Sequence, residues 1–110
     1  FKDEFAMQIG KYNLKIFLLT QKLKMKISVE LTLMPLQNDF EPPIINFIKK
    51  LRASKFTVLE NPLSTQIYGD YDELMPFLTN EIKSSFETQE NVILNLKMVK
   101  SDRSDYEPHF

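Results

Sequence analysis

Strict alternation of apolar and polar residues predicts the first strand of this chain. From Ile27 to Leu33 every second residue is aliphatic, and the intervening residues are Ser, Glu and Thr. A period of two is typical of a strand with one face in a core. Pro35 ends the pattern, because proline cannot donate a hydrogen bond to a strand ladder.

A helical pattern follows this strand. Asn38 or Asp39 is the candidate N-cap, and the two prolines after them suit the first turn of a helix. Apolar residues then recur at intervals of three and four, which predicts one buried helix face: Ile44, Phe47, Ile48 and Leu51.

The next two strands are short and are joined by an Asn-Pro-Leu turn. Residues 56–60 (FTVLE) form the second strand and residues 64–69 (STQIYG) the third. In the third strand Thr65 and Ile67 share one face, while Ser64, Gln66 and Tyr68 share the other.

The second helix begins after Gly69. Asp70 and Glu73 have the spacing of a capping box. Pro76 lies close behind them, so either the first turn is kinked or the helix proper begins nearer Asp72. Four apolar residues at helical spacing predict the buried stripe: Leu74, Leu78 (or Phe77), Ile82 and Phe86. The last strand, residues 91–99, again alternates, with one face made of Val92, Leu94, Leu96 and Met98.

The order strand, helix, strand, strand, helix, strand predicts the fold class. Right-handed crossovers on both split βαβ units give an α+β, ferredoxin-like βαββαβ sandwich. Its four-stranded antiparallel sheet carries both helices on one face. The third strand then lies between the first and the second.

The composition of the chain argues against several classes of function. The 110 residues fit a single domain, and the net charge of −1 with no basic stripe argues against nucleic-acid binding. There is no cysteine, and the single histidine, His109, is next to last. Thiolate, zinc and triad chemistry therefore have almost no residues to use, and we expect no metal and no cofactor.

Residues 1–24 are expected to be an N-terminal extension, followed by a ligand-binding domain over residues 25–110 with a short polar tail. The apolar run Ile16–Leu19 is far shorter than the roughly 20 residues of a membrane span, so no membrane insertion is expected. A cytoplasmic location is the default expectation.

Thr65 is the residue that raises a functional question. It is expected to face the helices from the start of the third strand, beside the end of the first strand. A buried hydroxyl needs a partner, which is either a nearby backbone carbonyl or a ligand in a small pocket. The same corner is expected to receive Leu33, Phe40, Phe47 and Ser64.

Short motifs around this corner resemble the thiamine-binding YkoF-like proteins and their single-domain relatives. They are Pro35-Leu36, Pro62 before Ser64-Thr65, Gly69-Asp70, and Asp102-Arg103 with Asp105. The resemblance covers about residues 27–105.

This resemblance implies a ferredoxin-like fold, assembly through the sheet, and binding of thiamine or its hydroxymethylpyrimidine moiety in salvage or transport, without catalysis. It places ligand contacts on Thr65 and on Leu33, the latter through its backbone. An aminopyrimidine edge suits a hydroxyl and backbone groups, and its flat faces suit Phe40 or Phe47. Tyr71 and Glu60 are weaker candidates for contact with the thiazolium cation.

Other functions of the same fold remain open. An amino-acid-sensing (ACT-like) regulatory domain is the main alternative, and a protein-interaction domain comes third. An acylphosphatase-type enzyme fits poorly, because the loop after the first strand has neither arginine nor glycine. RNA recognition fits poorly as well, because the outward sheet positions carry few aromatic residues. That small, polar outward face and the short sheet edges predict a homodimer or homotetramer.

Overall fold

Two helical crossovers build one antiparallel sheet. The structure is a computed structural model that describes residues 13–16 and 24–110. Its elements are β1 (Lys26–Pro35), α1 (Glu41–Arg52), β2 (Thr57–Glu60), β3 (Thr65–Asp70), α2 (Tyr71–Glu87) and β4 (Val92–Val99). The strand order is β2-β3-β1-β4, with every neighbouring pair antiparallel. The ferredoxin-like α+β fold predicted from the sequence is confirmed.

The core lies between the inner face of β1 and the two helices. The four alternating aliphatic residues of β1, from Ile27 to Leu33, are at most 7% exposed. Each helix contributes a buried pair at helical spacing, so both helices cover the same side of the sheet: Phe47 and Leu51 from α1, Leu74 and Leu78 from α2.

The predicted cap of α1 is wrong. Neither Asn38 nor Asp39 caps the helix; Phe40 occupies the N-cap position, and no side chain bonds there. A capping side chain accepts hydrogen bonds from the second and third helical N–H groups. In α1 these positions are Pro42 and Pro43, which have no N–H to donate.

The start of α2 also differs from the prediction. Asp70 is the N-cap residue, but its side chain makes no cap hydrogen bond, and Glu73 pairs instead with Lys55 Nζ at 2.7 Å. That ion pair lowers the pKa of Glu73. The capping box is therefore absent. The helix begins at Tyr71 and runs on through Pro76.

Little of the proposed N-terminal extension can be compared with the structure. Residues 1–12 and 17–23 lie outside the described residues, and residues 13–16 form a helical turn. Within the described part of the chain, no helix is long and apolar enough to cross a membrane.

Removal of residues 1–24 should leave a folded domain. The core residues all lie between Ile27 and Leu78, and Met25, whose carbonyl accepts the Tyr71 N–H at 2.8 Å, is retained. We expect cooperative thermal unfolding of residues 25–110, followed by circular dichroism, with a Tm close to that of the full chain. Loss of the cooperative transition would contradict this domain boundary.

Gly69 should tolerate no side chain. A Cβ at this position would lie 2.6 Å from Phe56 Cδ1 and 3.0 Å from Cε1. The Phe56 ring cannot withdraw freely, because it packs on Phe77 with ring centroids 5.5 Å apart. Gly69→Ala should lower the free energy of unfolding by about 1–3 kcal/mol, as overpacking typically does. In a Phe56→Leu background the same change should cost clearly less; equal costs in both backgrounds, measured by denaturant melts, would contradict the contact.

Candidate functional site

A mismatch in strand length opens a cavity beside the end of β1. The pairing of β1 with β3 stops at Leu31 and Thr65, whereas its pairing with β4 continues to Pro35. On the β3 side the last residues of β1 therefore face the turn between β2 and β3 instead of a strand.

The resulting cavity has a volume of about 150 Å³. Three walls surround it: the end of β1, the buried face of α1, and the turn with the first residue of β3. The lining residues from β1 and α1 are Leu31, Thr32, Leu33, Ile44, Phe47 and Ile48, and those from the turn and β3 are residues 61–65.

The backbone of Leu33 is directed towards this side. On the β4 side of β1, Leu36 N–H donates to Asn91 O at 2.9 Å. On the β3 side, Tyr71 N–H donates to Met25 O at 2.8 Å. Backbone groups alternate in direction along a strand, so these two bonds show which residues of β1 face each neighbour. Odd-numbered residues of β1 therefore direct their N–H and C=O groups towards β3. No described residue pairs with these groups of Leu33, because β3 has not yet begun at that level.

The two adjacent hydroxyls, Ser64 and Thr65, have different environments. Ser64 Oγ donates to Glu30 Oε2 at 3.1 Å and accepts from Gln66 Nε2 at 2.8 Å, so it belongs to a network on the outward face of the sheet. Thr65 is buried, with 6% of its surface exposed, and no described residue hydrogen-bonds its side chain. The backbone-carbonyl partner that a purely structural role would require is therefore not observed.

The turn that forms the third wall is held by its own first residue. Asn61 Oδ1 accepts the N–H groups of Leu63 at 2.8 Å and Ser64 at 2.9 Å. Asn61 N–H in turn donates to Ser64 O at 3.1 Å, which extends the β2–β3 ladder to a two-residue loop, Pro62-Leu63. Thr32 Oγ1 ties this loop to β1 by donating to Leu63 O at 3.3 Å. Sequence reasoning identified Asn61 as a turn residue and did not anticipate that it shapes a wall.

No charged side chain lines the cavity. The nearest carboxylate along the turn, Glu60, is held by Arg52 through two hydrogen bonds of 2.6 Å. The guanidinium lowers the pKa of Glu60, and Glu60 raises that of Arg52. Glu60 is thus engaged by a cation of the protein itself.

Four of the five predicted site residues surround the cavity, namely Leu33, Phe47, Ser64 and Thr65, and Phe40 does not. Phe40 precedes α1 and is 49% exposed. Tyr71 lies at the opposite end of β1, where its N–H meets Met25. Ile82 and Phe86, from the predicted stripe of the second helix, border a separate groove along α2.

The Asp-Arg motif after β4 lies on the other face of the sheet. Ser28 Oγ donates to Ser101 O at 2.7 Å and accepts Arg103 N–H at 2.9 Å, so the motif fastens the tail to β1. Burial raises the pKa of the nearby Tyr68 phenol, and the charges of Asp102 and Glu30 raise it further. In the described residues this motif is not part of the Thr65 cavity.

Residues 13–16 and 24–110 contain no group of three or more side chains that could hold a metal ion. The cavity offers one free hydroxyl, one free backbone N–H and C=O pair, and apolar walls. That arrangement suits a small, flat, neutral molecule with both donors and acceptors on one edge.

Comparison with known proteins identifies relatives only at the level of structure. No family model and no curated protein matches this chain. A protein of Streptococcus pneumoniae superposes with a TM-score of 0.66 and 28% identity, over 74% of this chain and 92% of that one. A Thermotoga maritima protein, provisionally assigned to thiamine biosynthesis or salvage, gives a TM-score of 0.62 and 17% identity, over 74% and 89%.

A third structure is a domain of unknown function, DUF77, from Bacillus cereus. It gives a TM-score of 0.59 and 16% identity, and the match covers 79% of this chain and 81% of that one. The three neighbours agree with the fold that the short motifs implied. At these identities, what the chain shares with the last two is the fold.

Proposed function

We propose that this protein is a YkoF-like binding protein that takes thiamine, or its hydroxymethylpyrimidine moiety, into the Thr65 cavity without catalysis. The observation that carries the proposal is the unpaired polar edge made by the Leu33 backbone and the Thr65 hydroxyl. An aminopyrimidine has an amine donor next to a ring-nitrogen acceptor. A backbone C=O and N–H pair offers the complementary acceptor and donor.

The cavity volume favours a single ring. An apolar cavity of about 150 Å³ is known to accommodate benzene. The volume here is about 150 Å³, which is enough for one pyrimidine ring. Phe47 and Ile44 supply apolar surface for the ring faces.

The charge distribution favours the same half of the molecule. A thiazolium cation gains from an aromatic face or a free carboxylate. The lining of the cavity has no carboxylate, and Glu60 beside it is paired with Arg52. Thiamine would therefore bind through its pyrimidine, with the thiazolium outside the cavity.

Absence of catalysis is part of the proposal. General acid–base or nucleophilic catalysis needs a titratable group within reach of the reacting atom. The cavity lining presents hydroxyls and one amide, and Asn61 uses its amide oxygen to hold the turn. A role in thiamine salvage or transport, with assembly through the sheet, follows from the resemblance. A cytoplasmic location and a homodimer or homotetramer complete the proposal.

The amino-acid-sensing alternative makes a different demand on the site. A zwitterion needs a carboxylate and a cation placed to meet its two charges, and none lines this cavity. A thermal-shift panel separates the two functions: we expect stabilisation by hydroxymethylpyrimidine and thiamine and none by amino acids. Stabilisation by amino acids alone would favour the alternative.

Thr65→Val should weaken pyrimidine binding while preserving the fold. Valine keeps the shape and β-branching of threonine and removes only the hydroxyl. Loss of one neutral hydrogen bond should reduce the affinity for hydroxymethylpyrimidine by about 0.5–1.5 kcal/mol. The free energy of unfolding should stay equal or rise, because no described residue uses the hydroxyl. Titration calorimetry and denaturant melts measure the two effects.

The matched control is Thr57→Val, which makes the same change at an exposed position in β2. It should leave the affinity unchanged. If Thr65→Val lowers stability and leaves binding intact, Thr65 has a structural role only. If the parent protein binds neither thiamine nor the pyrimidine, the proposed function is wrong.

A ligand series tests the Leu33 backbone, which substitution cannot remove. A pyrimidine without the exocyclic amine leaves the Leu33 acceptor unpaired in a buried site. Its affinity should fall by about 1–3 kcal/mol relative to hydroxymethylpyrimidine. Equal affinities of the two pyrimidines would exclude a hydrogen bond from the amine.

A further inference from the structure

The side-chain amide of Asn61 holds the wall of the cavity with only one of its two ends. Its oxygen, Oδ1, accepts the N–H groups of Leu63 at 2.8 Å and Ser64 at 2.9 Å. No described residue accepts a hydrogen bond from its nitrogen, Nδ2. Asn61 lines the cavity and is itself exposed, so the amide lies at the cavity mouth.

The two N–H groups of the turn fix which way the amide faces. With the amide reversed, Nδ2 would meet the N–H groups of Leu63 and Ser64, donor against donor, and both would lose their acceptor. The nitrogen is therefore directed away from these two groups. It carries two N–H donors and accepts no hydrogen bond, so a ligand can meet it only with an acceptor.

Asn61 and the Leu33 backbone border the same small volume. Thr32, one residue before Leu33, donates from Oγ1 to Leu63 O at 3.3 Å. Leu63 N–H in turn donates to Asn61 Oδ1 at 2.8 Å. These two bonds connect the amide to the end of β1 beside the cavity of about 150 Å³. A single ring bound against the Leu33 backbone therefore has a substituent within reach of Asn61.

We propose that the Asn61 amide donates to the hydroxymethyl oxygen of hydroxymethylpyrimidine and makes this pyrimidine the preferred ligand over thiamine; the inference rests on the proposed function. In the free pyrimidine, the carbon next to the amine-bearing carbon carries an alcohol, whose oxygen can accept a hydrogen bond. In thiamine the same substituent ends on the thiazolium nitrogen, which has no lone pair. Asn61 therefore has a partner in one ligand and none in the other.

The charge distribution around the amide favours an alcohol over a charged substituent. The cavity lining has no cation for a phosphate ester of the alcohol and no carboxylate for the thiazolium. The ion pair beside Asn61 in the sequence, Glu60 with Arg52, is closed by two hydrogen bonds of 2.6 Å. The group left to select the substituent is thus a neutral donor, and its best partner is a neutral acceptor.

A pair of ligands isolates the substituent in the parent protein. The analogue with a methyl group in place of the hydroxymethyl group keeps the amine and both ring nitrogens. Hydroxymethylpyrimidine should bind about 3- to 10-fold more tightly than this methyl analogue in titration calorimetry, which is the effect of one neutral hydrogen bond. It should also bind more tightly than thiamine. Equal affinities for the two pyrimidines would overturn the inference and leave the proposed function intact, whereas a parent that binds neither contradicts the proposed function.

Asn61→Asp separates the free donor from the turn. Aspartate keeps an oxygen for the two N–H groups, as both residue types do in such turns, and replaces only Nδ2 by an acceptor. The probe is the pyrimidine with a formyl group in place of the hydroxymethyl group, which accepts a hydrogen bond there but cannot donate one. Its affinity should fall at least about 10-fold, because its oxygen would meet a carboxylate. Thiamine should gain affinity, since the carboxylate attracts the thiazolium cation.

The methyl analogue checks the turn in the same variant. It presents no polar group to residue 61, so it should bind Asn61→Asp as it binds the parent. The matched substitution is Asn80→Asp, which adds the same charge at an exposed position of α2 outside the cavity and should change none of the three affinities. The inference is overturned if Asn61→Asp keeps its affinity for the formyl pyrimidine. Equal loss of all three ligands would also overturn it, because Asn61 would then serve the turn alone.

Discussion

The register of β1 between its two neighbours is the constraint on which the rest of the structure depends. Its aliphatic residues from Ile27 to Leu33 supply the sheet side of the core, and a shift of one residue would turn all of them towards the outward face. The same register opposes Leu31 to Thr65 on one side and to Leu96 on the other. It therefore sets both the orientation of the cavity hydroxyl and the exposed face of β4.

The cavity is a consequence of strands of unequal length around that register. Strand β1 runs beyond the first residue of β3, and the Asn61–Ser64 turn fills the space only in part. An apolar side chain in place of Thr65 would have cost nothing in hydrogen bonding, because no described residue bonds the hydroxyl of this residue at the cavity wall. Together with the unpaired backbone of Leu33, it gives an otherwise apolar pocket a directional edge. A free polar edge of this kind is a feature of binding sites more than of cores.

Local patterns predicted the elements, the sheet order and the face on which Thr65 lies, because alternation and helical spacing depend only on neighbouring residues. They failed where a distant residue decides the outcome. Glu73 forms an ion pair with Lys55 and no capping box. The Ser64 hydroxyl is hydrogen-bonded to Glu30, which lies 34 positions earlier. The N-cap of α1 could have been corrected from the sequence alone, since Pro42 and Pro43 remove the donors that a cap requires. The unpaired backbone groups of Leu33 could not be predicted from the sequence, because they depend on where the pairing of two distant strands stops.

The central claim is that one pyrimidine ring lies in the cavity against Leu33 and Thr65. A crystal structure of the protein with hydroxymethylpyrimidine tests it most directly. The account predicts the ring beside Phe47, with its amine and one ring nitrogen at about 2.7–3.2 Å from the Leu33 backbone and Thr65 Oγ1 also bonded to the ligand. A ligand bound on the outward face of the sheet, or along α2, with the cavity empty would contradict it.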